Sequence, residues 1–372
     1  MVTGTPDGST LVSHRIVVAT SSRSDFDAIS DYCDYLVDSL RARGDVRVRI
    51  ADPQIEPVAQ LARAIPSDAA RQTILLQYNP FSFGRWGFAP WLPLTLWRLK
   101  RQRPRPKIAV MVHETYVSGR DWRTALMGMW QRLQLASVHA LCDVSFVSIS
   151  VWARMLRRWV PRRPVHHLPV GSNLPDLREQ RGEMRARLGA GPDTIVLATF
   201  GSPHPSRLMG YVRDAAGAVA RDGRPTVVLN LGFSAPPLDL DEDIRVVAPG
   251  FLESADVSRH LAAADIYLAP FIDGVSTRRT TLIAALQHGL PVVGTDGPLT
   301  DPMLRDVAAG VVLVPVGDPA AFARAVLNLA DHDTTRAKQA TEARALYERQ
   351  FDWARISSQL VQCLACSGPA LG

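Results

Sequence analysis

Cysteine is scarce in this chain: four in 372 residues, scattered as Cys33, Cys142, Cys363 and Cys366. That excludes a small disulfide scaffold and fits reduced cytosolic thiols. Cys363 and Cys366 form a C-x-x-C, but no second pair exists, and they close "ISSQLVQCLAC", an amphipathic helical pattern. No uncharged apolar run approaches the roughly 20 residues that span a bilayer. The opening "MVTGTPDGST" has neither the basic nor the apolar segment of a secretory signal and reads as a disordered tail. There is no G-x-G-x-x-G after the first strand-like run, no Walker lysine loop and no H-E-x-x-H. No repeat of fixed period is present, and the 27 prolines lie between periodic segments, not in a low-complexity tract.

What is present is the composition of an ordinary globular protein, 47% hydrophobic and 21% charged. The chain is longer than single cores usually grow, so two domains are expected. Charge is uneven. Through Pro175 there are 23 Lys/Arg against 13 Asp/Glu, and beyond it 19 against 23, so a net +10 is followed by −4. The basic half points to an anionic surface or substrate: a membrane, a nucleic acid or a phosphate ligand. No nucleic-acid recognition element is visible.

Short β-branched runs alternate with helical patterns throughout. "RIVVATS", "VRVRIAD", "TILLQYN", "KIAVMVHET" and "VSFVSIS" read as strands, with helices centred on residues 55–65, 122–139 and 151–158. After the polar stretch "LREQRGEMRARLGAGPD" a fresh series begins: "TIVLATF", "TVVLNLG", "IRVVAPG", "IYLAPF", "PVVGTD" and "VVLVP". Near-continuous apolar strands separated by helices predict parallel sheets covered on both faces. The fold class is therefore α/β: two doubly wound, Rossmann-like domains facing across a cleft. The expected ranges are 12–175, 176–350, and a C-terminal helix at 351–372 packing back on the first domain. In such sheets ligands bind at the carboxyl ends of strands.

"GVSTRRTTLIAALQHGLPVVGT" (274–295) poses an electrostatic question. Ser276 and Thr277 are good N-caps, and Leu282, Ile283, Leu286 and Leu290 follow at helical spacing. Arg278 and Arg279 then stand where the helix dipole disfavours cations, by about 0.3–1 kcal/mol each. Either they are solvated surface groups, or something anionic sits against that helix end.

Residues 250–297, with their "AAADIYLAPF" and "HGLPVVGT", resemble the donor-binding half of GT-B glycosyltransferases, particularly the retaining enzymes of glycosyltransferase family 4. "TFGSPHPSRL" (199–208), "VMVHET" (110–115) and "LPVGSNLP" (168–175) extend the resemblance over most of the chain. It implies the GT-B fold, a nucleotide-diphosphate sugar as co-substrate, no further cofactor and no metal. The family's basic residue six positions after the loop glycine falls on Arg207, counted from Gly201; Ser202 replaces the other basic residue. Two family glutamates fall on Ser276 and Ala284, and both are missing. Gly201, His204, Arg207, Ser276, Thr277, Arg278, Arg279 and Thr280 are therefore the expected donor-diphosphate site, with the arginines as a metal-free clamp on a helix N-terminus.

In the first domain the resemblance puts His113 against the sugar or a reacting oxygen, and Glu114 as its orienter or an acceptor contact. Tyr78, Asn79, Asn173 and Asp273 are expected in the acceptor or sugar pocket. No enzymic nucleophile is implied, since the leaving phosphate takes the acceptor proton in front-face transfer. The acceptor is a small molecule, a lipid-linked group or a saccharide. Two alternatives stay open: a nucleotide-binding pseudo-enzyme or partner subunit, and a GT-B epimerase or non-glycosidic transferase. Asp25, Asp27, Asp31, Asp34 and Asp38 fit either a polyol acceptor or a solvated helix start. Residues 77–107 interleave Trp and Phe with cations, which fits core packing, acceptor stacking or a peripheral contact at the inner membrane face of a cytoplasmic protein.

Overall fold

The computed structural model describes residues 14–20, 28–51, 72–103, 105–119, 121–232 and 240–366. The expected tail, the helix centred on 55–65, and Asp25 and Asp27 lie outside the described residues. The chain divides into two compact units, Met1–Leu168 with Ile356–Gly372, and Pro169–Arg355. The pattern of the sequence had suggested a division at 175/176.

The first unit is built on β1 (His14–Ala19), α1 (Ala28–Ala42), β2 (Val46–Ala51), β3 (Gln72–Tyr78), α2 (Trp91–Lys100), β4 (Lys107–Val112), α3 (Trp122–Leu141), β5 (Val144–Val147), α4 (Ser150–Trp159) and β6 (Val165–His167). Its strands pair in parallel in the order β2-β1-β3-β4-β5-β6. Every residue of β3 is buried, because both faces of the sheet are covered and an apolar run has no solvent side to alternate toward. "VSFVSIS" is strand only to Val147; Ser150 already opens α4.

The second unit continues with α5 (Arg181–Arg187), β7 (Ile195–Phe200), α6 (Met209–Arg221), β8 (Thr226–Leu231), β9 (Ile244–Val247), α7 (Ser254–Ala263), β10 (Ile266–Ala269), α8 (Thr280–Gln287), β11 (Val292–Asp296), β12 (Val311–Pro315), α9 (Pro319–Asp331) and α10 (Asp333–Gln350). Its order, β12-β11-β10-β7-β8-β9, is parallel throughout. The strand order reverses between β7 and β10, and that is where doubly wound sheets open a ligand crevice. Leu197, Leu268, Val212, Phe322 and Val326 meet in one buried cluster that fixes the two central strands against α6 and α9.

The division between units falls in the first turn of α11 (Trp353–Cys366). Trp353 belongs to the second unit, donating from its indole N–H to the Ser172 carbonyl at 2.7 Å. From Ile356 onward the helix belongs to the first unit, where Ser357 meets Ser39 at 2.9 Å and Gln359 donates to the His167 carbonyl at 3.0 Å. The C-x-x-C thus closes a packed helix, with neither Cys363 nor Cys366 in a disulfide.

Candidate donor site in the second unit

The carboxyl ends of β7 and β10 gather most of the expected donor residues. Gly201 follows β7 with φ +129°, a conformation that favours glycine. A Cβ there would come within 3.3 Å of Thr281 in α8 and 3.4 Å of Arg207, so the bare backbone lets this loop close on the helix start. Arg207 pairs with Phe271 across a short antiparallel bridge, which joins the loop after β7 to the segment after β10.

Helix α8 begins at Thr280, and its N-cap is Arg279, with no side-chain cap bond. Ser276 and Thr277 are therefore not the caps that their position in the sequence suggests. Thr277 donates its backbone N–H and its hydroxyl to Asp301 Oδ2, at 2.9 and 2.8 Å. Ser276, Thr277 and Asp301 are fully buried, so the two hydroxyls shape the turn from inside rather than presenting a face to a diphosphate. Ala284, at the second position where the family carries glutamate, is equally buried.

The arginine question has a structural answer: an anion does sit against the helix start, and it is Asp273. Arg278 Nη2 lies 3.1 Å from Asp273 Oδ2 and Arg279 Nη2 lies 2.8 Å from Asp273 Oδ1. Neither arginine is an ordinary solvated group; their side chains are 18% and 16% exposed. Arg279 also stacks over the Phe271 ring, 3.6 Å from its centroid, and reaches Ser206 Oγ at 3.5 Å. Asp273, expected in a sugar pocket, thus holds the two guanidinium groups. Its own placement depends on Gly274, where φ is +84° and a Cβ would fall 2.2 Å from Thr300 Oγ1 and 2.4 Å from the Gly297 backbone nitrogen.

Arg207 differs from its neighbours. It donates to Thr199 Oγ1 at 2.6 Å and to the carbonyls of Gly201 and Ser202, all neutral oxygens. Among the described residues no carboxylate pairs with it. Burial accordingly depresses its pKa, with Tyr267 opposing in part. Three guanidinium groups around one carboxylate leave an excess of positive charge in a half-buried place, which an anion relieves. A cavity of about 330 Å³ opens beside Arg207, lined also by Pro203, His204, Pro205 and Met209. His204 is tied locally, its Nδ1 accepting from the Ser206 backbone N–H at 3.1 Å. Asn173 lies in the segment that the Val170 N–H anchors to the Thr277 carbonyl, at 3.2 Å.

In the first unit, His113 stands just past β4, as expected, and its Nε2 lies 2.7 Å from Gln77 Oε1. The Tyr32 ring meets the imidazole edge-on at 4.8 Å. An amide oxygen only accepts, so Nε2 carries the proton and Nδ1 is the lone-pair nitrogen; donation to a sugar oxygen requires the protonated ring. Glu114, next along, is exposed.

Two residues expected in the acceptor or sugar pocket, Tyr78 and Asn79, make contacts within the first unit instead of standing free. Tyr78 is wholly buried, its hydroxyl accepting from Gln134 Nε2 at 3.3 Å, and burial pushes its pKa up to about 12. Asn79 caps the following turn, its side-chain oxygen accepting from the Phe81 N–H at 3.0 Å. Strand alternation from a single sequence does not tell which strand-end side chain turns inward, as that of Tyr78 does. Thr199, Phe271, Asp301, Gln77 and Tyr32 were missed, because each acts through a contact that the chain's turns create and no local motif records.

Comparison with known proteins places this site in context. Residues 195–332 match the family described as Glycosyl transferases group 1. The phosphatidyl-myo-inositol mannosyltransferase of Mycobacterium leprae is 36% identical over 123 residues, which cover 33% of this chain and 32% of that protein. The match thus spans about a third of the curated relative. Among solved structures, the sucrose-phosphate synthase of Thermosynechococcus elongatus superposes with TM-score 0.66 at 14% identity, covering 95% of this chain and 98% of that one. HepE of Anabaena, solved in complex with UDP and glucose, gives TM-score 0.65 at 15% identity, covering 95% and 100%. Two parallel Rossmann-like units in this arrangement along the chain are the GT-B glycosyltransferase fold.

Proposed function

We propose that this GT-B-fold chain, whose second unit carries a group 1 glycosyltransferase segment, moves a sugar from a nucleotide-diphosphate donor to an acceptor with retention of configuration. The observation that carries the reading is the charge imbalance at the β7/β10 crevice: Arg207 on neutral oxygens beside Arg278 and Arg279 on a single carboxylate. A diphosphate brings the missing negative charge. Guanidinium forks bind it through paired N–H donors, at a helix start whose dipole favours anions. Asp273 then has a second effect: it holds the two arginines in place and competes with the incoming phosphate for them.

Charge developing on the leaving diphosphate is stabilised by the three arginines without a metal ion, and the leaving phosphate takes the acceptor proton. His113, in its protonated form, donates to the sugar or to a reacting oxygen, with Gln77 fixing the ring. The nucleotide's neighbours in kind are those named for HepE, a UDP complex, and the acceptor class is set by the first unit. A lipid-linked acceptor, phosphatidyl-myo-inositol, is the one named for the mannosyltransferase relative.

Thermal stabilisation by a panel of nucleoside diphosphates in EDTA tests the donor site. A ligand at a hundred times its dissociation constant adds about 2.7 kcal/mol, a few degrees of melting temperature. One base should stabilise the wild type, and Arg207→Ala and Arg278→Ala/Arg279→Ala should lose that gain. Unchanged stabilisation of both variants would sink the proposal.

The burial of Ser276 and Ala284, where the family's glutamates would stand, favours one second reading: a nucleotide-binding subunit without transfer. Release of nucleoside diphosphate from the donor only on adding acceptor decides for the transferase. The product's anomeric proton coupling in an NMR spectrum checks retention.

A further inference from the structure

Helix α3 carries two faces of opposite meaning. Its start is well specified: Asp121 accepts from the Thr124 N–H at 2.9 Å while Thr124 Oγ1 accepts from the Asp121 N–H at 3.1 Å, a reciprocal cap. Its inner face is buried through Gln131, Gln134, Leu135 and Val138. Its outer face repeats Trp122, Leu126, Met129 and Leu133, the i, i+4, i+7, i+11 spacing that normally marks a core-facing stripe. Here all four are exposed, Trp122 by 72%. The stripe runs about 16 Å along the helix at 1.5 Å per residue.

A second element reaches the same face. Trp86 has φ +59°, the one non-glycine residue with positive φ among the described residues, and its side chain is 70% exposed. For a bulky residue that conformation is strained and persists only where the surroundings enforce it. Gln131 of α3 enforces it, donating from Nε2 to the Trp86 carbonyl at 3.1 Å, while the adjoining Gly87 leaves no room for a Cβ, which would fall 2.8 Å from the same amide. The inner face of α3 therefore holds an indole outward beside its own outer stripe. A groove of about 1070 Å³ lies between them, lined also by Phe88 and Trp130.

The charges beside the rings of this face are positive, while Asp121 caps the start of α3. Arg85 lies over the Trp86 ring and Arg123 over the Trp122 ring, each 5.3 Å from the centroid. Arg132 adds an exposed cation on the same helix, lying over the Tyr116 ring at 4.3 Å. We propose that this face docks on an anionic lipid surface, with α3 lying in the interface plane and Trp86 and Trp122 inserted beside it. Aromatic and aliphatic groups enter the boundary between headgroups and chains, while arginines at the rim meet lipid phosphates. A nucleic acid has no use for the Leu126–Leu133 stripe. A second copy of the chain would set one basic rim against another. The inference stands independently of the sugar-transfer reading, since none of these residues belongs to the donor site.

The test is co-sedimentation of the full chain with vesicles of phosphatidylcholine and phosphatidylglycerol, against phosphatidylcholine alone. Binding at least about tenfold stronger to the anionic vesicles is expected, falling as salt is raised. Leu126→Glu/Leu133→Glu and Arg85→Glu/Arg123→Glu should each reduce it by about tenfold or more, with melting temperatures unchanged because the altered side chains are exposed. Equal partition to both vesicles, no binding to either, or variants that bind like the wild type would each overturn the proposal. So would light scattering that shows a wild-type dimer turned monomeric by Leu126→Glu/Leu133→Glu, with no vesicle binding.

Discussion

The two units share a parallel six-stranded sheet and a doubly wound plan, yet they place their arginines differently. In the second unit guanidinium groups go mainly to carboxylates: Arg181 and Arg185 to Asp265, Arg224 to Asp331, Arg344 to Asp176, Arg278 and Arg279 to Asp273, with Arg279 and Arg344 also over the rings of Phe271 and Tyr347. In the first, Arg85, Arg101, Arg123 and Arg132 lie over the rings of Trp86, Trp97, Trp122 and Tyr116. The cause is composition. The first half is poor in acids and rich in tryptophan, so an aromatic face is the nearest favourable surface for a cation. The second half has acids to spare, and Arg207 there is held by neutral oxygens instead. One fold thus carries a half-buried cluster of arginines around a carboxylate in one unit and an exposed apolar helix stripe flanked by arginines in the other.

The largest expected effect on this contrast comes from Gly274→Ala in the second unit. A methyl group at φ +84° collides with Thr300 and the Gly297 backbone, so denaturant unfolding should show a loss of about 3 kcal/mol. The nucleotide-induced stabilisation should fall with it, because Asp273 shifts, while vesicle binding stays intact.

A pH titration separates the units next. His139 in the first unit is fully buried, bonded to Ser145 Oγ at 2.8 Å, and burial lowers its pKa from 6.5 to about 4. The folded state therefore resists its protonation. The stability it contributes is complete above pH 6.5 and is lost as pH falls toward 4, by about 3 kcal/mol. Urea unfolding at pH 7, 5 and 4 should show that slope in the wild type and less of it in His139→Gln.

Tyr78→Phe sharpens the assignment of Tyr78 to the core. It removes the acceptor of Gln134 Nε2, so a stability loss of about 1–2 kcal/mol is expected. The KM for acceptor should not change; a marked rise would return Tyr78 to the substrate pocket.

The smallest effect concerns Trp86. Asparagine tolerates positive φ far better than tryptophan, so Trp86→Asn should stabilise the protein by about 0.5–1 kcal/mol in thermal unfolding while weakening vesicle binding. A protein that gains stability by losing a surface tryptophan is one that retains that residue for contact.

Much of the fold was legible in the amino-acid pattern. The strand runs of the second half, from "TIVLATF" to "VVLVP", fall where the sheet has its strands, since a strand buried on both faces must be apolar along its length. The group 1 glycosyltransferase segment was legible too, because residues around Gly201, Arg207 and the 274–295 stretch carry local motifs. The partners of Asp273 were not legible. Its ion pairs with Arg278 and Arg279 depend on the Gly274 turn, and no periodicity reports a turn's direction. Nor did strand alternation report that the Tyr78 side chain turns into the core.

The amino-acid sequence by itself determined the alternation of strand and helix, the two-unit plan and the uneven charge, because these follow from local pattern and composition. Only the tertiary structure decided that Asp273 sits against the arginine pair, that Arg207 has neutral partners, and that the apolar stripe of α3 faces outward. A helix with an apolar stripe expects a core. Which of its faces the core takes depends on what else packs there, and in α3 the glutamine face won because Gln131 and Gln134 satisfy buried backbone and hydroxyl groups that have no other partner of that reach.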